Sequence, residues 1–229
     1  AVAITAGAMV SLAFGTRRVR LAAVVVLLLL WIGGSMLKKP DWTQPVSEPV
    51  AVALVQGAVP QVMKWDASMK QRTLELYWEL SEPHWGTPIV VWPEAALPAL
   101  ANNLGEYLTP LQARASSAGS ALIIGLIRRD PVTGAYHNGI AAWGGPSESA
   151  EQWYYKRRLV PFGEFFPVPG FVRDWMRLMS LPYSDFVPGP DAPPPIRAAD
   201  QRLAPTICYE DAYGAEQLAL ARQATLLVN

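Results

Sequence analysis

The run LAAVVVLLLLWIGGSML, residues 21–37, carries no charge and is bracketed by Arg20 on one side and Lys38 and Lys39 on the other. A helix through it reaches about 25 Å at ~1.5 Å per residue. That is short for a hydrocarbon core of ~30 Å, but sufficient when flanking Lys and Arg stems snorkel to the interface. Residues 1–16, AVAITAGAMVSLAFGT, read as the end of another such span. A secretory signal peptide is the alternative, with the arginines as its charged region. Against it stand the apolar segment before those arginines and the lack of an A-x-A-like cleavage site after Trp31.

Charge is distributed unevenly along the chain. Residues 1–39 hold five basic side chains (Arg17, Arg18, Arg20, Lys38 and Lys39) and no acid, which leaves 14 basic against 19 acidic residues in the remainder. An acidic body gives no support for nucleic-acid binding, which needs a basic face. Two histidines and a single cysteine offer no metal cluster, and no cofactor is expected. The three basic residues of TRRVR against the two of LKK lean towards an inside loop at 15–20, with everything after residue 40 outside the cytoplasm. The chain begins without Met and stops at ATLLVN inside an apparent buried strand, so it reads as a piece of a larger protein.

A Pro-punctuated linker, residues 40–49, leads into short apolar runs alternating with helical stretches. Strands are expected at 50–56, 88–94, 121–129, 136–144, 152–163, 202–210 and 225–229. Helices are expected at 62–82, 103–118, 171–180 and 214–224. Strands interleaved with helices, and adjacent strands in the middle, point to an α/β fold with a mixed sheet and helices on its faces.

Three polar groups follow apolar strands, where open α/β sheets place their sites: Glu94 in VVWPEAALP, Lys156 in WYYKRRLVPFGEF and Cys208 in TICYED. Each has a bland reading: a solvated turn carboxylate, the start of an exposed basic run, and a core thiol. Together they form a workable set. A free thiol with a pKa of about 8.5 is only a few per cent ionised at neutral pH. A nearby ammonium favours the thiolate and steadies the oxyanion of a tetrahedral intermediate. A carboxylate takes the thiol proton and returns it to the leaving group. A Cys–His pair has little to draw on, since His84 and His137 both lie in turn-like settings.

The segments VWPEAALP, YYKRRLVPFGEFFP and ICYED resemble the three motifs of the nitrilase superfamily, whose catalytic set is Glu, Lys and Cys. More narrowly, they and ALVQGAVPQVMKWD (53–66) resemble the membrane-bound apolipoprotein N-acyltransferase family, as does an apolar helix directly upstream. The resemblance implies a nitrilase-like α-β-β-α sandwich over 50–229, truncated at its C-terminus and preceded by membrane segments in 1–39. It implies a multi-pass protein of the bacterial inner membrane with its catalytic domain facing the periplasm, and a monomer. The implied reaction moves an acyl chain from a phospholipid, typically phosphatidylethanolamine, through a cysteine thioester to the N-terminal amine of a diacylglyceryl-cysteine apolipoprotein. By position, Glu94 is general base and acid, Lys156 stabilises charge, and Cys208 is the nucleophile. Trp65, Glu164, Tyr209 and Glu210 match further important family positions, and Asn138 is a candidate hydrogen-bonding support.

Roles for these supports stay open. Glu164 either orients Lys156 or forms a structural ion pair. Glu210 orients the site or recognises the acceptor amine, and Tyr209 and Trp65 wall a pocket or fill core. The segment 161–190 packs Phe162, Phe165, Phe166 and Trp175 among prolines, an irregular apolar stretch that either meets the bilayer or packs as a satellite cluster. Two other functions remain: a membrane-tethered amidase that uses the same three residues with water as acceptor, and a non-catalytic module that docks a lipoprotein.

Overall fold

The computed structural model describes residues 1–40, 48–60, 63–144, 150–169, 171–172 and 186–229. It divides into two compact units, Ala1–Glu48 and Pro49–Asn229. The first holds helices α1 (Val2–Phe14) and α2 (Arg17–Leu37), separated by an extended break at Gly15 and Thr16. Helix α2 spans 21 residues with a mean hydropathy of 2.2, long and apolar enough to cross a membrane. Arg20 folds back from α2 to donate to the Ala13 carbonyl of α1 at 3.2 Å.

The second unit is built on two sheets. The larger has the order β1 (Val52–Leu54), β2 (Ile89–Trp92), β3 (Ala121–Arg129), β4 (Tyr136–Trp143) and β5 (Glu151–Tyr155). The first three strands run parallel, and β4 and β5 return antiparallel. The smaller sheet has the order β6 (Ile196–Ala198), β7 (Gln201–Pro205) and β8 (Leu226–Val228).

Side-chain alternation along the strands assigns the two faces. Val90, Trp92, Leu122, Ile124, Leu126 and Ala141 enter one core, shared with helices α3 (Lys70–Ser81) and α4 (Gly105–Ser117) through Leu74, Tyr77, Leu108 and Leu111. Their neighbours Ile89, Ala121, Ile123, Ile140, Ala142 and Tyr154 enter the other. That core is closed by Ile196, Leu203 and Ala204 of the smaller sheet and by Leu220 of helix α5 (Gly214–Ala221). Because both faces of the larger sheet are covered, its strands read as continuous apolar runs, as buried parallel strands do. The result is the nitrilase-like layered α/β architecture.

Several boundaries differ from the expected ones, for local reasons. The helix expected over 62–82 begins only after the 3-10 turn Ala67–Met69. Asp66 Oδ1 accepts from both the backbone N–H (2.9 Å) and hydroxyl (2.7 Å) of Ser68, an Asx-type turn that competes with helix and delays its start. Lys64 and Trp65 therefore sit in a turn. The strand expected over 202–210 stops at Pro205, and residues Cys208–Ala212 form a 3-10 turn. Strand β5 likewise ends at Tyr155, one residue before Lys156. His137 lies on β4 and not in a turn. The helix expected over 171–180 and the candidate Trp175 fall largely or wholly outside the described residues. Strand β6, three residues long, had no sequence signal of its own.

Candidate active site

Glu94 follows β2 through Pro93, which cannot donate to the ladder and so ends the strand. The next residue, Ala95, takes a left-handed φ of 45°, and Ala96 N–H donates to the Gly125 carbonyl of β3 at 2.9 Å. The turn thereby brings the Glu94 carboxylate back over the sheet edge. Lys156 begins the loop after β5, where its N–H donates to the Asn138 carbonyl of β4 at 2.8 Å.

The Lys156 side chain is 1 % exposed and shared between two carboxylates, Glu164 Oε1 at 3.0 Å and Glu94 Oε1 at 3.5 Å. Two carboxylates around one ammonium repel each other, and Asn138 answers this directly. Its Nδ2 donates to Glu94 Oε1 at 2.6 Å and to Glu164 Oε1 at 2.9 Å. The second oxygen of Glu164 accepts from the Val160 N–H at 2.8 Å, which fixes its loop beneath the site. Burial by itself pushes the Lys156 pKa down. The Glu164 hydrogen bond and the charges of Glu94, Glu164 and Cys208 outweigh it, so the pKa lies above its ordinary value. Lys156 is thus a fixed cation at neutral pH.

Cys208 is exposed and opens the 3-10 turn with a left-handed φ of 58°. Non-glycine residues enter that region at a cost of order 1–3 kcal/mol, held there by their surroundings. Sharp strand-to-helix turns of this kind are used to present a nucleophile above a sheet. The holding group is Glu210, wholly buried. Its Oε2 accepts from the Ile207 N–H at 2.8 Å and the Tyr154 hydroxyl at 3.0 Å. Its Oε1 accepts from the N–H groups of Arg157 at 2.7 Å and Arg158 at 3.1 Å. One carboxylate therefore joins the backbone before Cys208 to the backbone after Lys156. With four donors in place and no exposure, Glu210 is fully engaged within the protein. Arg158 pairs with Glu216, and Arg157 reaches Gln217, so KRR is tied to α5 and is no free basic face.

Tyr209 places its ring 5.8 Å from the Lys156 ammonium and donates its hydroxyl to the Leu159 carbonyl at 2.8 Å. Trp65 is 52 % exposed and so is not core. Phe162 is exposed and meets Phe166 edge-on with ring centroids 5.9 Å apart, while Phe165 is half-buried. His137 points to the face of β4 opposite Asn138, with Nδ1 2.8 Å from the Val187 carbonyl, and takes no part in the cluster. Glu94 and Cys208 open onto one cavity of about 290 Å3, floored by Leu54, Val55, Val91, Ile123, Ile140 and Ile207. A carboxylate and a thiol thus share an apolar space, with the buried Lys156 ammonium behind Glu94 at 3.5 Å.

The family model of carbon-nitrogen hydrolases matches residues 51–229. The chain belongs to the carbon-nitrogen hydrolase family. Among curated relatives, an apolipoprotein N-acyltransferase of Methylococcus capsulatus is 32% identical over 99% of the chain and 44% of its own length. One from Pseudomonas aeruginosa is 37% identical over 91% of the chain and 40% of its own length. The chain thus spans less than half the length of these relatives. Among solved structures, an amidase from Nesterenkonia sp. shares the fold with a TM-score of 0.53 at 19% identity, covering 78% of this chain and 64% of that one. A carbon-nitrogen hydrolase from Helicobacter pylori G27 matches with a TM-score of 0.50 at 19% identity, over 78% of this chain and 59% of that one.

Proposed function

We propose that the chain carries the catalytic centre of a membrane-bound N-acyltransferase that acylates the N-terminal amine of a diacylglyceryl-cysteine apolipoprotein from a phospholipid donor, phosphatidylethanolamine being the expected one. The observation that carries this reading is the apolar cavity shared by Glu94 and Cys208, with the buried Lys156 ammonium paired to Glu94 and sensing the charge of Cys208. The names of relatives at 32–37% identity support it. So does the apolar helix α2 on the same chain, long enough to cross a membrane; the placement proposed with it is the bacterial inner membrane, with the catalytic domain on the periplasmic side.

In the first half-reaction Cys208 Sγ attacks the ester carbonyl while Glu94 takes the thiol proton. The C–O bond breaks, and Glu94 returns that proton to the leaving lysophospholipid oxygen. In the second, the acceptor amine attacks the thioester carbonyl and yields its proton to Glu94. The C–S bond breaks and the thiol is restored. Lys156 faces the negative charge that develops in each tetrahedral intermediate.

Intact mass spectrometry after incubation with phospholipid tests the first half, with a fatty-acyl adduct on Cys208 expected. Adding a lipopeptide amine should clear the adduct faster than water does. Clearance by water at the same rate would make the protein a hydrolase, and no adduct at all would remove the acyl-transfer reading.

The exposed ring of Phe162 and its partner Phe166 have a role that can be separated from packing. Asp at either position is expected to lower turnover on phospholipid vesicles about tenfold more than turnover on a short soluble ester, because a charge at an apolar membrane contact must be desolvated. Equal losses on both substrates would assign the loop to the fold alone.

A further inference from the structure

Glu94 has a second cation beside it. Lys64, in the turn after Pro60, is half-buried and donates from Nζ to the backbone carbonyl of Glu94 at 3.1 Å. Burial is the main influence on its pKa and lowers it, and the charge of Glu94 opposes that shift, so the two side chains feel each other. The Lys64 turn is itself fixed, by Met63 N–H on the Pro60 carbonyl at 2.9 Å and Asp66 N–H on the Met63 carbonyl at 3.1 Å.

The Glu94 turn also rests against β3. A Cβ on Gly125 would lie 2.4 Å from the Pro93 carbonyl oxygen and 2.6 Å from Glu94 Cα, so the turn rests directly on a glycine backbone. Glycine admits that approach because it has no side chain. The floor fixes how far the turn can sink. The Ala96 N–H bond to Gly125 ties the end of the turn to that floor, and Lys64 adds a tether at the Glu94 carbonyl itself.

We propose that Lys64 is a positioning residue for the acyl-transfer site, pinning the Glu94 turn by its carbonyl and supplying the positive charge that balances the second carboxylate of the cluster. The charges make the need plain. Glu94 from the β2 turn and Glu164 from the loop after β5 face a single ammonium, Lys156, so that cluster carries a net negative charge without Lys64. Among the described residues, the other groups facing Glu94 are the neutral Asn138 amide from β4 and the Cys208 thiol across the cavity, with the Tyr209 phenol near Lys156. None of these supplies positive charge. Removing Lys64 takes a positive charge away from the cluster, and a lost positive charge moves the acidic limb of reactivity to higher pH.

The inference rests on the acyl-transfer reading only for its choice of substrate, and its first measurement needs no lipid. The rate of Cys208 alkylation by iodoacetamide is followed against pH in the wild type, Lys64→Met and Lys64→Arg, with the protein in detergent and equal unfolding midpoints required of all three. Lys64→Met is expected to shift the acidic limb upward by about half to one pH unit, as a lost charge pair near a protein surface does. With phospholipid, kcat for thioester formation should fall about tenfold with KM unchanged. Lys64→Arg, which keeps charge and donor, should restore most of both. An unshifted alkylation profile in Lys64→Met would overturn the inference, as would a loss confined to KM or an Arg variant no better than Met. If no variant and no wild type forms a thioester while the alkylation profile still shifts, Lys64 keeps its positioning role and the acyl-transfer reading fails instead.

Discussion

Cys208→Ala abolishes fatty-acyl labelling of the protein and lowers acyl transfer by ~10⁴-fold or more, the scale of loss when a covalent nucleophile is removed. The fold should be indifferent to it. Cys208 is exposed and its side chain is no part of either core, so the unfolding midpoint should stay where it is. Cys208→Ser retains shape and a hydroxyl in the same strained turn, yet it should fail nearly as badly, because an alcohol ionises far less readily than a thiol beside the same base. Single-turnover labelling with phospholipid, read by intact mass, measures both variants. A fatty-acyl adduct surviving in Cys208→Ala at the wild-type rate would sink the mechanism.

Glu210→Ala is expected to cost both stability and activity, through one cause. The carboxylate accepts four hydrogen bonds, three of them from backbone N–H groups that no other carboxylate among the described residues reaches. Removing it strands those donors in the interior, at ~3–5 kcal/mol by analogy with broken buried charge networks. Glu210→Gln is the sharper variant. It matches the volume but turns one oxygen into a donor aimed at donors, so at least two contacts are lost and a loss of ~2 kcal/mol or more follows. Denaturant unfolding measures the stability. Iodoacetamide kinetics on the folded fraction measures whether Cys208 still stands in its reactive position, and the rate should fall with the turn that Glu210 holds. A Glu210→Gln protein with wild-type stability and wild-type thiol reactivity would remove Glu210 from the architecture of the site.

Much of the fold was legible because burial on both sides writes itself into a strand as an unbroken apolar run. ALIIGLIRR became β3 over the same nine residues, and Ile89–Trp92 lies within the run expected for β2. The errors came where a single side-chain contact redirects the backbone. Asp66 delays α3, and Glu210 turns the end of β7 into the 3-10 segment that raises Cys208. No propensity or period contains such a contact. Strand β6 was missed because three residues between prolines and a turn are too few to show a period.

The local chain determined the lipid-length apolar helix, the two-faced strands, and a base, a cation and a thiol placed at strand ends, all of which depend on residue type and near-neighbour order. Tertiary structure decided how those groups meet. Asn138 bridges Glu94 and Glu164 from positions 44 and 26 residues away, and Lys156 reaches Glu94 across 62. The pairing of β3, β4 and β5 sets which side chains share a face, and a one-residue slip in that register would turn Asn138 and Lys156 away from the cluster. The same holds for Lys64, whose segment MKWD was marked by resemblance through Trp65 but which gains a role of its own only where its turn lies against the carbonyl of Glu94.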